Sequence, residues 1–276
     1  MDLEDWYQVP LVNIPPHEWR ECQPSVVDAT LQILDFFSRF SVKATFFVSG
    51  YIADRHPHLI WDIFSAGHEV ESHGYWHQLA YHQSETEFHN DIARSTVAVA
   101  QITGVQPVGY RSPAWSTTWI AERAAQVLAV EGYVYDTSLF PTSNFLYGKM
   151  DFSTDTTYLL GDTGVLEIPP SVFDIFGLKI PVTGGFYLRA YPLFLLKRMI
   201  HISNKDKPVQ IYFHPWEVSR AYPHLSISPV HRIIQYYRCG TILARLEELF
   251  KEFHFGSLKQ AYPRILECQE KKSTGS

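Results

Sequence analysis

Residues 44–77 read ATFFVSGYIADRHPHLIWDIFSAGHEVESHGYWH. The run Ala44-Thr45-Phe46-Phe47-Val48 is nearly continuous in apolar residues, as a strand covered on both faces requires, and Ser49-Gly50 closes it. Pro57 suits the first position of a helix, and Gly67 suits the residue just past its end. Gly67-His68-Glu69-Val70-Glu71-Ser72 is a second strand-like run. Strand, helix and strand in this order make a βα unit of a mainly parallel sheet. The same alternation extends in both directions. Pro24 and Ser25 open a helix whose apolar face carries Val27, Leu31, Leu34 and Phe37. Ser84 and Glu87 form a capping box for a helix bearing Phe88, Ile92, Val99 and Ile102 and ending at Gly104. A further helix is expected from Thr117 to Val130, with strand-like pieces at Tyr133–Tyr135, Val165–Ile168 and Val209–Phe213. A chain of 276 residues holds about six to eight such units, which favours a barrel over a small open sheet.

The polar stretch from Thr142 to Gly164 reads as an insertion, and the last strong helix carries Ile242, Leu246, Leu249 and Phe253. We expect one domain over residues 1–268 and a polar, disordered tail over 269–276. Net charge is −6 and basic residues form no long run, which argues against a nucleic-acid partner. Cys22, Cys239 and Cys268 are too far apart for a CxxC pair, against both a disulfide framework and a thiolate zinc site. The longest apolar run, Leu193–Leu196, is far too short to span a bilayer. No basic segment followed by an apolar stretch marks a leader. The expected location is the cytoplasm, with peripheral contact to the inner face of the membrane left open. No feature fixes an oligomeric state.

Chemistry concentrates at the ends of the strand-like runs. His73 and His77 are spaced i and i+4, so one helical turn can aim both imidazoles at one point. With a carboxylate from Asp2-Leu3-Glu4-Asp5 they would form a facial metal site with open positions for water and substrate. Each element alone has a plainer reading: a solvated acidic segment, and a His pair satisfied by local hydrogen bonds. Arg111-Ser112-Pro113 follows Gly109-Tyr110. Pro215 stops the run that ends at Phe213, leaving His214 at a strand C-terminus, where α/β barrels place catalytic groups. Only Met1 precedes Asp2, whereas a buried strand uses about five residues, so the first strand is either nearly absent or starts upstream of this sequence. Trp6, Trp76, Trp115 and Trp216 flank these motifs and can stack on sugars or simply pack. Asp136 ends a strand; Glu217 can support His214 or face solvent; Gly184-Gly185 marks a tight loop approached by substrate or backbone. His56, His58, His82 and His89 read as surface residues.

In chain order, the segments 2–6, 44–48, 67–77, 109–113, 135–138 and 212–217 resemble the polysaccharide deacetylases with a NodB homology domain, the family 4 carbohydrate esterases. Leu166-Glu167-Ile168-Pro169-Pro170-Ser171, Gly184-Gly185-Phe186-Tyr187-Leu188-Arg189 and His214-Pro215-Trp216-Glu217 resemble the subgroup associated with exosortase and exopolysaccharide clusters. The resemblance implies an α/β fold, a distorted (β/α)7 TIM-like barrel, and a divalent metal, usually Zn2+, sometimes Co2+ or Ni2+. It implies that Asp2 is the catalytic base, Arg111 orients it, and His214 is the general acid. His73 and His77 match metal ligands, with Asp5 favoured as the third and Glu4 as its alternative. Asp136 matches a position that supports Arg111, and Trp76, Tyr110, Pro113, Trp115 and Trp216 match substrate contacts. Gly74 stands where the family carries Ser or Thr. The implied activity is removal of N-acetyl groups from amino sugars of an oligo- or polysaccharide, free or lipid-linked, in exopolysaccharide biosynthesis. Two rivals are a cyclic imide or ureide amidohydrolase on the same scaffold, and a degenerate, non-catalytic carbohydrate-binding protein.

Overall fold

The computed structural model describes residues 1–142, 152, 153, 157–182, 184–219, 223, 225 and 227–274. The first part of the chain alternates as the sequence predicts: β1 (Asp2–Leu3), α1 (Val26–Arg39), β2 (Thr45–Val48), α2 (Gly50–Arg55), α3 (Pro57–Ser65), β3 (Glu69–Ser72), α4 (Glu85–Thr103), β4 (Gly109–Tyr110), α5 (Ala121–Val130) and β5 (Tyr135–Asp136). Two more strands, β6 (Tyr158–Leu159) and β7 (Leu166–Glu167), complete a seven-stranded sheet of order β1-β2-β3-β4-β5-β7-β6. All neighbours pair in parallel except β6 with β7. The hairpin β8 (Val172–Ile175) and β9 (Leu178–Pro181) follows, then α6 (Gly185–Ala190), α7 (Leu193–Ser203), α8 (Pro215–Val218), α9 (Pro229–Tyr236), α10 (Ile242–Phe250), α11 (Leu258–Ala261) and α12 (Arg264–Thr274).

Register decides where chemistry can occur. Leu3 aligns with Val48, Val48 with Ser72, Ser72 with Tyr110, Tyr110 with Asp136, and Asp136 with Glu167. The strands therefore end in one layer, and the residues just past that layer, among them Glu4, His73 and Arg111, emerge together at one rim. The opposite end is closed by α11. Leu258 N donates to Thr45 Oγ1 at 2.8 Å, Ser257 Oγ to Glu69 Oε1 at 2.7 Å and Lys259 Nζ to Glu71 Oε1 at 2.9 Å.

Residues 209–213 do not join a ladder as the sequence predicts. On one side Asp2 N donates to Phe213 O at 3.2 Å. On the other, a side chain replaces the missing backbone bonds: Gln210 Nε2 donates to Ile168 O and Pro169 O, both at 3.1 Å, and Gln210 N donates to Ser171 Oγ at 2.9 Å. The barrel is closed by this amide, and that is its distortion.

Other differences are local. Asp5 accepts from Ser25 N and Val26 N and starts α1 at Val26. The buried stripe is consequently Val26, Ala29, Ile33, Phe36 and Phe37, one residue round from the expected face, and Leu31 is exposed. The Ser84–Glu87 capping box forms as expected. The helix expected from Thr117 begins at Ala121, after a 3-10 segment over Pro113–Trp119. Residues 269–274, expected to be disordered, continue α12, and 275–276 lie outside the described residues. The expected insertion contributes β6, with 143–151 and 154–156 also outside the described residues.

Gln210→Leu keeps the volume but strips partners from two carbonyls and from Arg111 and Thr137, whose side chains donate to Gln210 Oε1 at 3.1 Å each. Unpaired buried polar groups cost about 1–3 kcal/mol each. We expect a loss of about 3 kcal/mol in urea unfolding. An unchanged midpoint would mean that the seam is not held by this amide.

Candidate active site

Glu4, His73 and His77 are buried, and one ligating atom from each lies within 4.8 Å of the others. His77 Nε2 contacts Glu4 Oε2. His73 Nδ1 lies 2.6 Å from Arg111 O. A carbonyl can only accept, so Nδ1 carries the proton and Nε2 keeps its lone pair, the state a metal ligand needs. Burial lowers the His73 pKa to about 4, against the pull of Asp2, so this ring stays neutral. Burial opposes the charge on Glu4, but His77 and His214 outweigh it and hold the carboxyl down at about 2. His77 Nδ1 has no hydrogen-bond partner among the described residues. Two neutral-capable imidazoles and an ionised carboxylate on one point fit a divalent cation such as zinc.

The histidines are not presented by a helix. They lie on the loop after β3, turned by Gly74 at φ 70° and His77 at φ 53°. Asp91 of α4 holds this loop, accepting from Tyr75 N at 2.7 Å and Trp76 N at 2.9 Å. A Cβ at Gly74 would lie 2.8 Å from Asp91 Oδ2, which explains the glycine where a hydroxyl residue was expected.

Asp5 is not at this point. Its carboxylate accepts from Trp6 N, Ser25 N, Ser25 Oγ and Val26 N at 2.8–3.1 Å. The reason is the period of an extended chain: Asp2 and Glu4 share a face, and Asp5 faces the helical layer. Glu4, the expected alternative, is the carboxylate that adjoins the histidines.

Asp2 accepts from Arg111 Nη1 at 2.7 Å, and Arg111 Nη2 donates to Gln210. Burial disfavours the Asp2 carboxylate, but Arg111 and His73 outweigh it and keep the group well below its ordinary range. Across the cavity, His214 Nε2 lies 3.8 Å from Asp2 Oδ2 and 3.7 Å from Glu4 Oε1. His214 Nδ1 donates to Glu217 Oε2 at 2.8 Å, and Arg189 Nε donates to Glu217 Oε1 at 2.6 Å. Burial opposes the imidazolium, yet Glu4, Glu217 and Asp2 prevail and raise His214 to about 9. Trp216 stacks on His214 at 5.0 Å and its Nε1 donates to Glu4 Oε1 at 3.1 Å.

Asp2, Glu4, His73, His77, His214, Glu217 and Trp216 line a cavity of about 410 Å3 with Trp115, Tyr212, Phe186, Tyr187, Tyr81 and Ile234 among its walls. Trp115 and Trp216 are where the sequence puts them. Three other expected contacts are not. Trp76 faces outward, packed with Trp19, Tyr51 and Tyr75. Tyr110 is buried between Phe88 and Tyr133, and Pro113 is buried behind its neighbours Ser112 and Ala114, which reach the cavity. Tyr212's ring occupies the space beside Gly184, so that tight loop is approached by a side chain. Sequence reasoning left Gln210 and Arg189 without a role; only the Gly184–Arg189 stretch and the strand-like 209–213 run signal them.

Arg111 bonds to Asp2 and Gln210 rather than to Asp136, which acts on it through charge alone. Asp136 is buried and interacts electrostatically with Glu167; burial, against the pull of Ser138, Thr137 and Arg111, raises it to about 7, and Glu167 is raised too. A raised carboxyl favours folding while protonated. Its contribution is complete below the unfolded value of 3.8 and is lost as pH rises through about 7. Wild-type stability should fall across that window, and Asp136→Asn should flatten the fall; urea midpoints that drop equally in both proteins would contradict a raised Asp136.

Residues 22–134 match the family described as polysaccharide deacetylase, and residues 137–263 match a domain of unknown function, DUF3473. A peptidoglycan deacetylase from Helicobacter pylori is 29% identical over 152 residues, 50% of this chain and 51% of that protein. The peptidoglycan-N-acetylglucosamine deacetylase PgdA of Listeria monocytogenes is 38% identical over 81 residues, 29% of this chain and 17% of that protein. The matched stretches thus span about half the length of the first relative and much less of the second. A structure from Mycobacterium smegmatis, described as a candidate polysaccharide deacetylase, has a TM-score of 0.62 at 21% identity, covering 99% of this chain and 89% of that one. A similarly described Pseudomonas aeruginosa structure has a TM-score of 0.55 at 16% identity, covering 88% and 73%. Six parallel strands, the loop that carries His73 and His77, and the match over residues 22–134 converge on one likeness: this part of the chain is similar to the polysaccharide deacetylase family.

Proposed function

We propose that this protein is a metal-dependent hydrolase that removes N-acetyl groups from amino sugars of an exopolysaccharide or its oligosaccharide precursor. The observation that carries the reading is the meeting of Asp2, Glu4, His73, His77 and His214 in one cavity, with Arg111 fixed on Asp2. Glu4, His73 and His77 would hold the cation. When bound, it supplies Lewis-acid polarisation of an acyl oxygen and makes water a stronger acid.

The remaining steps belong to side chains. Asp2, ionised and aimed by Arg111, takes a proton from the attacking water. An amide leaves poorly as an anion, so the amine must be protonated as the C–N bond breaks. His214 carries that proton on Nε2, because its Nδ1–H is committed to Glu217. Arg189 keeps Glu217 ionised and in place. Trp115 and Tyr212 offer flat apolar walls suited to a sugar ring. The peptidoglycan deacetylases among the relatives support an N-acetylated amino sugar as the acyl donor.

Metal content by plasma mass spectrometry separates the ligand assignments. We expect about one zinc, cobalt or nickel per chain, in line with a three-ligand site. Stoichiometry should be lost in His73→Ala and Glu4→Gln and retained in Asp5→Asn, which should instead destabilise the fold by about 1–3 kcal/mol. Metal lost in Asp5→Asn and kept in Glu4→Gln would reverse the assignment.

Turnover is read as acetate released from N-acetylglucosamine oligomers. Asp2→Asn should retain metal and lose roughly 10²–10⁴ in kcat. Full turnover by that variant would remove Asp2 as base, and a metal-loaded wild type that releases no acetate from any oligomer would count against the deacetylase reading itself.

A further inference from the structure

The β8–β9 hairpin ends in Ile175-Phe176-Gly177-Leu178, four residues with no polar side chain. Ile175, Phe176 and Leu178 are all exposed, Phe176 completely. Register pairs Ile175 with Leu178, so Phe176 and Gly177 form a two-residue loop, with φ of 52° and 87°. Such a loop needs positive φ at both positions and strongly favours Asn-Gly. A bulky aromatic residue is costly there. The turn thus carries the wrong residue for its backbone, at a place where that residue packs on nothing that would repay it. Local conflict of this kind marks function.

The hairpin is also tied to the cavity. Val172, at its root, clusters with Trp115, Phe140 and Tyr212, and two of these are cavity walls. Three apolar side chains on a convex tip offer far less than the roughly 800 Å2 per partner that a stable protein interface buries. A bilayer needs no matching surface and accepts such a tip directly. The charged side chains of the hairpin are Asp174, which accepts from Gly177 N at 2.7 Å, and Lys179, so they give no net attraction to anionic lipid. Among the described residues no helix is long and apolar enough to cross a membrane.

We propose that the Ile175–Leu178 tip inserts into a lipid bilayer and holds the cavity beside the membrane surface. This proposal does not depend on the hydrolase reading, because its test measures no turnover. The full chain is floated with vesicles of phosphatidylcholine and phosphatidylethanolamine. We expect recovery with the vesicles that persists at raised salt and falls at least tenfold in Phe176→Ser/Leu178→Ser. Trp61→Ala, which removes a half-exposed tryptophan on α3, should bind as wild type. Phe176→Asn keeps the test independent of folding, since it should raise or preserve the thermal midpoint while lowering vesicle recovery. Failure of wild type to float, equal flotation of the double variant, or a salt-sensitive interaction would each overturn the proposal. A concentration-dependent dimer abolished by the double variant, without vesicle binding, would overturn it in favour of a second copy of the chain.

Discussion

One buried guanidinium organises this molecule. Arg111 reaches Asp2 with one terminal nitrogen and Gln210 with the other, while its own carbonyl fixes the tautomer of His73. Three functions share one residue: charge on the candidate base, lone-pair direction on a candidate ligand, and closure of the barrel. A buried cation is tolerated only where several partners neutralise it. Here Asp2 supplies the charge, and Gln210 supplies a neutral acceptor. The site cannot be built without the seam, nor the seam without the site.

A second guanidinium repeats the device on the far wall. Arg189 is almost fully buried and donates to Glu217, to Ile234 O and Tyr237 O at the end of α9, and to Cys239 Sγ. It joins the helix that walls the cavity to the carboxylate that holds His214. The two arginines stand behind opposite walls, one behind Asp2, the proposed proton acceptor, and one behind His214, the proposed donor. Trp216 connects the two sides by stacking on His214 and donating to Glu4. Asp2 and His214 therefore share one frame, 3.8 Å apart at their nearest atoms.

Much of this was legible in the sequence because it follows from local rules. A nearly continuous apolar run gave β2, a strand-like run before His73 gave β3, the Ser84–Glu87 box gave the start of α4, and a proline after an apolar run put His214 at the end of the 209–213 segment. What escaped depends on orientation across the fold. Asp5 and Glu4 are adjacent, and only the face each takes in an extended chain separates a helix-start anchor from a candidate ligand. Trp76 neighbours His77 yet points outward because Asp91, fifteen residues on, pins the loop that carries both. Gln210 looks like one polar residue in an apolar strand, and its task is visible only when Ile168 and Pro169 lie opposite. Arg189 sits in an apolar helix as an apparent misfit until Glu217 is brought to it.

Closing a barrel with a side chain has a consequence for its mechanics. Elsewhere the sheet is held by ladders that must break together, whereas the line between β7 and residues 209–213 rests on one glutamine and its immediate partners. Regions with few shared backbone bonds open at lower free energy than the rest of a fold. The barrel thus has a built-in line of parting on one side of residues 209–213 only. Parting along it would leave His214 beside Asp2, because Phe213 O accepts from Asp2 N and Trp216 donates to Glu4, and would free one arm of Arg111, which shares Gln210.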